Sequence, residues 1–490
     1  MFKLNKAIAP LLALVVASSC LAGCGGGSSS SSAASNAADT GSTGVQANSS
    51  DTAGVQVSPS DTSSTASSPA VPPSKISYRK ITLGALWPFT DPQQTNPMRM
   101  LYMLSDQWMK DNPGAQIEFQ LISTDYVQYD QQMKVLAASN SLPDVFQYQV
   151  STSMQDLYDH GYITDLDKLM TELGLMDAMN PVAVKICRSG DPKGRLMSLP
   201  MSLSYHGLWV NEDILKQLGL SYNENGTWDD LFNLCKQIAA KNYVPIAVNG
   251  KDGWNMTTVM HMWLMKKDGI GVLNDASYGL NGAKFTDPDF IAAAQMMQDF
   301  GQAGCFGPDF MAVDNQGMID QFLSGKAVML PATSDLCANL DDPTLNKLGD
   351  NAVDFKLYPS VVGGLPADQS KGLMEMQTGM GFVVGAKQLD DSVKDWMKYV
   401  FSRYGDFTWD NGGYVPGFNV SDMSNTTHYK AMALQMLNNA TDGELWFEAK
   451  LPSKGVDYSF KNISLVAAGQ LSPEDFMKNV QATVDEQNGQ

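Results

Sequence analysis

Ile117-Glu118-Phe119-Gln120-Leu121-Ile122, then Tyr126 to Ala138, then Asp144-Val145-Phe146-Gln147-Tyr148: this stretch decides the fold. Its outer pieces are short, rich in branched and aromatic residues, and bounded by turn-forming residues, as strands are. The middle piece is long enough for a helix and ends before Ser139-Asn140-Ser141-Leu142-Pro143. A strand, a helix and a second strand in close succession read as a βαβ unit, which calls for a parallel sheet with helices on its faces. Upstream, Lys80 to Leu86 alternates like another strand, and Trp87-Pro88-Phe89-Thr90-Asp91-Pro92 breaks it into a loop. Between them Met100 to Met109 carries apolar residues near helical spacing, stopped by Asn112-Pro113-Gly114. In such sheets ligands bind at the carboxyl ends of strands, which points to the loops after Leu86 and after Phe146.

The same alternation resumes downstream. Gly207 to Val210 predicts a strand and Glu212 to Leu218 a helix ended by Gly219. Thr227 suits the N-cap of a helix over Trp228 to Ala240, with Asp229 and Asp230 favourably placed in its first turn. Pro245 to Val248 and Gly381 to Val384 predict further strands, Asp391 to Tyr404 a helix, and Ser472-Pro473 opens the final one. The residues from Ile76 to Gln490, some 415, are too many for one core, so two domains are expected.

The beginning of the chain is of another kind. Lys3 and Lys6 precede a short apolar run, Leu11 to Ala17, far below the roughly 20 residues of a membrane span. A positive start, a short apolar run and small residues before a cut describe an export signal. Leu21-Ala22-Gly23-Cys24 resembles the bacterial lipobox, in which the cysteine sulfur receives a diacylglyceryl group and becomes the new N-terminus. Residues 1–23 are thus read as the signal peptide, and 24–75 as the lipidated (palmitate-type) Cys24 followed by a Ser/Gly/Ala/Thr tether. That tether has too few large apolar residues to offset its ordering entropy. A coil of this kind reaches about 40 Å. The anchor would hold the protein on the outer face of the cytoplasmic membrane, two acyl chains being what stable attachment takes.

The formal charge is -19, and losing Lys3 and Lys6 makes it -21. So acidic a chain is repelled by nucleic acid and by anionic lipid, which argues against nucleic-acid binding and leaves the lipid as its membrane contact. Cys187, Cys235, Cys305 and Cys337 remain beyond the anchor. An even number in an exported protein invites a disulfide reading, but each lies among apolar residues and none forms a C-x-x-C pair, so free buried thiols remain an alternative. His160, His206, His261 and His428 are not spaced to complete a zinc site, and no metal or cofactor is expected.

Several phrases then resemble one family, the bacterial extracellular solute-binding proteins of family 1, the maltose-binding-protein-like receptors of ABC importers. They are Asn112 to Glu118, Leu136 to Phe146, Leu199-Pro200, Gly207 to Leu215, Thr227 to Leu231, Phe322 to Met329, and Val415 to Phe418. They stand in the family's order and span nearly all of the globular part. The resemblance implies an α/β fold of two lobes built from discontinuous segments and joined by a hinge, with ligand in the cleft and closure trapping it. Carried over, lobe one takes 76–202 and 337–422, and lobe two takes 203–336 and 423–490. It implies a monomeric receptor that hands a carbohydrate, an oligosaccharide by preference, to permease transmembrane subunits. The chain departs from the family after Met329, where a Gly-x-Trp is common and Leu330-Pro331-Ala332-Thr333-Ser334-Asp335 stands instead.

A sugar site needs flat rings for the C–H face and amide or charged groups for the hydroxyl rim. Trp87 and Asp91 after the first strand, and Tyr148 and Gln149 after the third, are candidates. So are Tyr205 and His206 beside the lobe crossing, Trp254 and Asn255 at lobe two's strand ends, in the polar loop that Asn249 to Gly253 leads into, and Asp335 in place of the missing ring. Trp409, Asn411 and Tyr414 are expected in a glycine-rich loop before Val415-Pro416. Thr227-Trp228 reads as cap and core, and Asp144 as a partner for backbone donors. G-x-S-x-G, H-E-x-x-H and G-x-x-x-x-G-K are all missing, so a binding protein is expected rather than an enzyme. A glycosidase carboxylate pair among the many acids, or a receptor for a non-sugar solute, are the alternatives.

Overall fold

The computed structural model describes residues 76–89, 97–349 and 352–489. The signal, Cys24, the tether and Asp91 lie outside the described residues. Ten strands are present among those described: β1 Lys80–Ala85, β2 Gln116–Leu121, β3 Val145–Tyr148, β4 Ser204–Asn211, β5 Val244–Ile246, β6 Ala327–Thr333, β7 Val353–Lys356, β8 Leu373–Gln377, β9 Gly381–Val384 and β10 Asp442–Glu444. They form two sheets, ordered β2-β1-β3-β9 and β10-β8-β4-β6-β5, with β7 also on β4. The βαβ stretch is as read: β1 runs parallel to β2 and to β3. Neither sheet is purely parallel, however. β9 is antiparallel to β3, and β4 is antiparallel to β6, β7 and β8.

The reason lies in the crossings between lobes. The chain leaves the first sheet's lobe through Leu199 to Ser204, returns after β8 through Thr378 to Gly381, and departs again through Val415 to Phe418. These segments bind one another. Leu199 N–H donates to Phe382 at 2.9 Å, Met201 N–H to Thr378 at 3.0 Å and Leu203 N–H to Val415 at 2.9 Å, each to a carbonyl. Gly417 is required there, since a Cβ would stand 2.4 Å from the Pro200 carbonyl oxygen. β7 and β8 fall in the 337–422 segment expected in lobe one, yet both pair with β4 in the second sheet, and of that segment's strands β9 joins the first. Short strands like these carry no mark of the sheet they enter; pairing with a long central strand decides it.

β4 also shows how the two cores share a sheet. Successive side chains point to opposite faces. Tyr205 and Trp209 join the core of the first lobe, which continues through the crossing, and Leu208 and Val210 join that of the second. Local signals hold where they were strongest. Thr227 and Asp230 form a capping box, with Asp230 N–H 3.3 Å from Thr227 Oγ1 and Thr227 N–H 2.8 Å from Asp230 Oδ2. Asp144 accepts Thr82 N–H at 2.7 Å and pairs with Arg79 at 2.8 Å, tying β1 to the start of β3. All four described cysteines are buried and free. Among the described residues no helix is long and apolar enough to cross a membrane.

Two loop readings need correction. Trp254 opens the helix Trp254–Asp268, and Trp409 lies within the helix Tyr404–Asn411. Polar and glycine neighbours suggested loops, but in the first case Asp252-Gly253 leads into the helix and in the second Gly412 is its C-cap.

Candidate functional site

The carboxyl ends of β1 and β3 on one lobe, and of β5, β6 and β10 on the other, border the junction between lobes. On the first lobe Gln147 sets the loops. Its buried Oε1 accepts N–H of Leu86 at 2.9 Å and of Trp87 at 3.4 Å, while Nε2 donates to the Met380 carbonyl at 3.4 Å. Trp87 is held half-buried there, on the edge of the first core. Tyr148 is buried, its hydroxyl donating to Asp130. Gln149 is half-buried, and its side chain lies near the Glu448 carboxyl of the other lobe.

On the second lobe Gly253 turns the chain with φ +81°, and a Cβ there would meet the Phe460 carbonyl oxygen at 2.0 Å. That turn delivers Trp254 at the start of its helix. The Trp254 ring lies 5.6 Å from that of Trp446, tilted 42°, and both are half-buried. Trp254 packs on the first core although the next residues of its helix belong to the second, so it stands where the lobes meet. Beside it, Asn249 Oδ1 accepts Asn255 N–H at 3.1 Å, and Asn255 Nδ2 donates to the Pro331 carbonyl. Both amides are fully buried, and Asn249 Nδ2 and Asn255 Oδ1 have no hydrogen-bond partner within the protein. Buried polar atoms without partners are uncommon and mark places where a polar ligand group or water completes the set.

A further polar group sits at the crossing. Asp335 follows β6, next to Ser204, and burial pushes its carboxyl up to about 7. Its charge reaches Tyr205, Tyr404 and Tyr414, and the hydroxyls of the last two lie 3.2 Å apart. The structure thus gathers Tyr205, Asp335 and Tyr414 at one point, and Trp254 and Asn255 at another. Three other described candidates, His206, Trp409 and Asn411, have partners of their own. His206 stacks on Tyr358 at 6.0 Å, and burial lowers it to about 3, so it is a neutral ring. Trp409 is fully buried against a small cluster with Ala183, Leu203, Val415 and Ala433, with the Lys430 ammonium 4.7 Å from its ring centre. Asn411 is exposed and bonds back to the Phe407 carbonyl at 2.8 Å.

Sequence reading missed Trp446 and Glu448. They lie in Leu445-Trp446-Phe447-Glu448, whose apolar character reads as core, and their one signal is position just after a strand. Glu448 is buried, its Oε2 has no partner, and burial together with nearby Glu375 pushes its carboxyl up to about 8. A carboxyl raised in the folded state binds a proton that the unfolded chain releases at its ordinary 4.5. Its contribution is full below the unfolded value and is lost as pH rises through about 8. Glu448→Gln is therefore expected to flatten the fall in melting temperature between about pH 5 and pH 9. Parallel curves for the two proteins would show that Glu448 does not titrate this way. Among the described residues no group of three or more His, Cys, Asp or Glu could hold a metal ion.

A family model described as bacterial extracellular solute-binding protein matches residues 92–404. The multiple sugar-binding protein of Streptococcus mutans is 29% identical over 97 residues, 20% of this chain and 21% of that one, so the match spans about a fifth of the relative's length. A chitin oligosaccharide binding protein superposes with a TM-score of 0.74 at 20% identity, covering 84% of this chain and 100% of that one. A structure from work on xylan utilization by Caldanaerobius polysaccharolyticus gives 0.69 at 20% identity, over 82% and 99%. The solute-binding protein RafE in complex with raffinose gives 0.62 at 16% identity, over 83% and 99%. These likenesses concern the fold.

Proposed function

This chain belongs to the bacterial extracellular solute-binding protein family, and on that premise we propose that it is the receptor of an ABC importer for a carbohydrate. An oligosaccharide is the preferred solute, delivered to the permease subunits. The observation that carries this reading is the Trp254–Trp446 pair, half-buried where the lobes meet and flanked by the unpartnered buried atoms of Asn249 and Asn255. Rings that are only half covered offer a face to the C–H side of a sugar, and amide atoms without partners suit its hydroxyls. The relatives point the same way, for one is called sugar-binding, another is a chitin oligosaccharide binding protein and a third holds raffinose. Asp335 with Tyr205 and Tyr414 would supply further contacts at the crossing. Cys24 would carry the lipid that keeps the receptor at the outer face of the membrane.

Calorimetry against a panel of gluco-, xylo-, chito- and raffinose-type oligosaccharides tests the reading. One-to-one binding of at least one of them, with the sugar recovered unchanged, is expected. Catalytic release of shorter sugars would replace the receptor by a hydrolase. Binding of peptides or polyamines with no heat from any sugar would change the solute class.

A further inference from the structure

Away from the tryptophan pair, the two lobes touch directly. Helix Tyr126–Ala138 and the start of helix Thr152–Asp159, both on the first lobe, meet Leu451 to Ser453 at the start of helix Ser453–Ala467 on the second. Four hydrogen bonds cross here: Ser453 Oγ to Asp130 Oδ2 at 2.6 Å, Lys134 Nζ to Ser453 Oγ at 2.7 Å, Ser153 Oγ with Ser453 Oγ at 3.1 Å, and Thr152 Oγ1 to the Leu451 carbonyl at 2.9 Å.

Asp130 is the centre of this contact. It is 3% exposed, although a mid-helix aspartate is usually on the surface. Its own lobe already holds it in place. The Tyr148 hydroxyl donates to Oδ1, and Lys134, one turn on, pairs with Oδ2 at 2.9 Å. Ser153 Oγ is 3.3 Å from the same oxygen. The carboxylate is therefore oriented before the second lobe arrives, and it remains paired when that lobe leaves. Such a group serves two arrangements at little cost in either, which a reversible contact needs.

The second lobe presents what the carboxylate lacks. Helix Ser453–Ala467 has Pro452 at its N-cap and no side-chain capping bond. A helix start favours a negative charge near its unpaired N–H groups. Ser453, the first residue of that helix, reaches Asp130 through its hydroxyl, so the anion at this helix start comes from the other lobe.

We propose that Asp130 is a positioning residue for closure: held by Tyr148, Ser153 and Lys134, it latches Ser453 and the start of the second lobe's helix, favouring the closed arrangement independently of the solute. This rests on the receptor reading only in giving closure a purpose. Tyr148, a candidate for stacking on ligand, becomes in this account a support of the latch.

Amide hydrogen exchange on the full chain, without added solute, provides the test. Asp130→Asn is expected to speed exchange in Leu451 to Tyr458, across the junction, about tenfold, the scale of one hydrogen bond to a charged group. Ser453→Ala leaves the support of Asp130 within its own lobe intact and is expected to speed exchange in Thr152 to Gln155. The double variant should add little to either, because both break one contact. Faster exchange confined to the mutated lobe in each variant would overturn the latch and leave Asp130 a local structural residue. So would additive effects in the double variant. No sugar enters this experiment, so failure to bind carbohydrate and failure of the latch are separate results.

Discussion

His261→Ala is expected to lower the free energy of unfolding by about 3–5 kcal/mol, the cost of breaking a buried ion pair by removing one partner. His261 is fully buried in the helix Trp254–Asp268. Its Nδ1 faces Glu375 and its Nε2 lies 2.9 Å from Glu444 Oε1. The two glutamates are direct partners in the parallel register of β8 and β10, so their like charges stand side by side. Burial by itself lowers an imidazole's proton affinity, but here the two carboxylates outweigh it and His261 is raised to about 10. It is a resident cation that lets the two strands pair. Without it a buried carboxylate must take up a proton or remain uncompensated.

The folded value of His261 lies above the ordinary 6.5, so the stabilisation is full below 6.5 and disappears as pH rises through about 10. Denaturant unfolding of the two proteins should differ most at about pH 6, by less at each higher pH, and converge above pH 10. Adding Glu375→Gln to His261→Ala should recover part of the loss, because the stranded charge is removed. Equal stabilities at pH 7 would mean that the imidazole is only a space-filler.

Trp254→Ala is expected to weaken carbohydrate binding by about 1–3 kcal/mol, the range for truncating an aromatic anchor. Thermal stability should change little, since the ring is half-buried. Calorimetry with the best sugar of the panel, beside a melting curve, separates the outcomes. Normal affinity with a much lower melting temperature would assign Trp254 to packing.

These residues were not equally legible. Thr227-Trp228-Asp229-Asp230 announced its cap, because a capping box joins residues three apart and needs nothing else. Asp144, just after Pro143 at a strand start, suits backbone donors, and it accepts Thr82 N–H. The polar surroundings of Trp254 mark it as a candidate, although those same surroundings suggest a loop where a helix begins. Trp446 carries no such mark, because an aromatic pair inside an apolar phrase looks alike whether it is core or a half-open wall. Nothing local in the sequence marks Asp130, since its partner Ser453 lies more than three hundred residues away.

The division between the two levels is physical. Alternation, helical spacing, caps and glycine turns are local preferences carried by neighbouring residues, so the sequence alone determined the βαβ beginning, the α/β class and most helix starts. Pairing between distant strands is decided by which partners complete each other's hydrogen bonds and cover each other's faces. Only the tertiary structure could therefore assign β7 and β8 to the second sheet and set Glu375 beside Glu444 around one imidazolium. It alone brings the Asp130 carboxylate to the start of a helix in the other lobe.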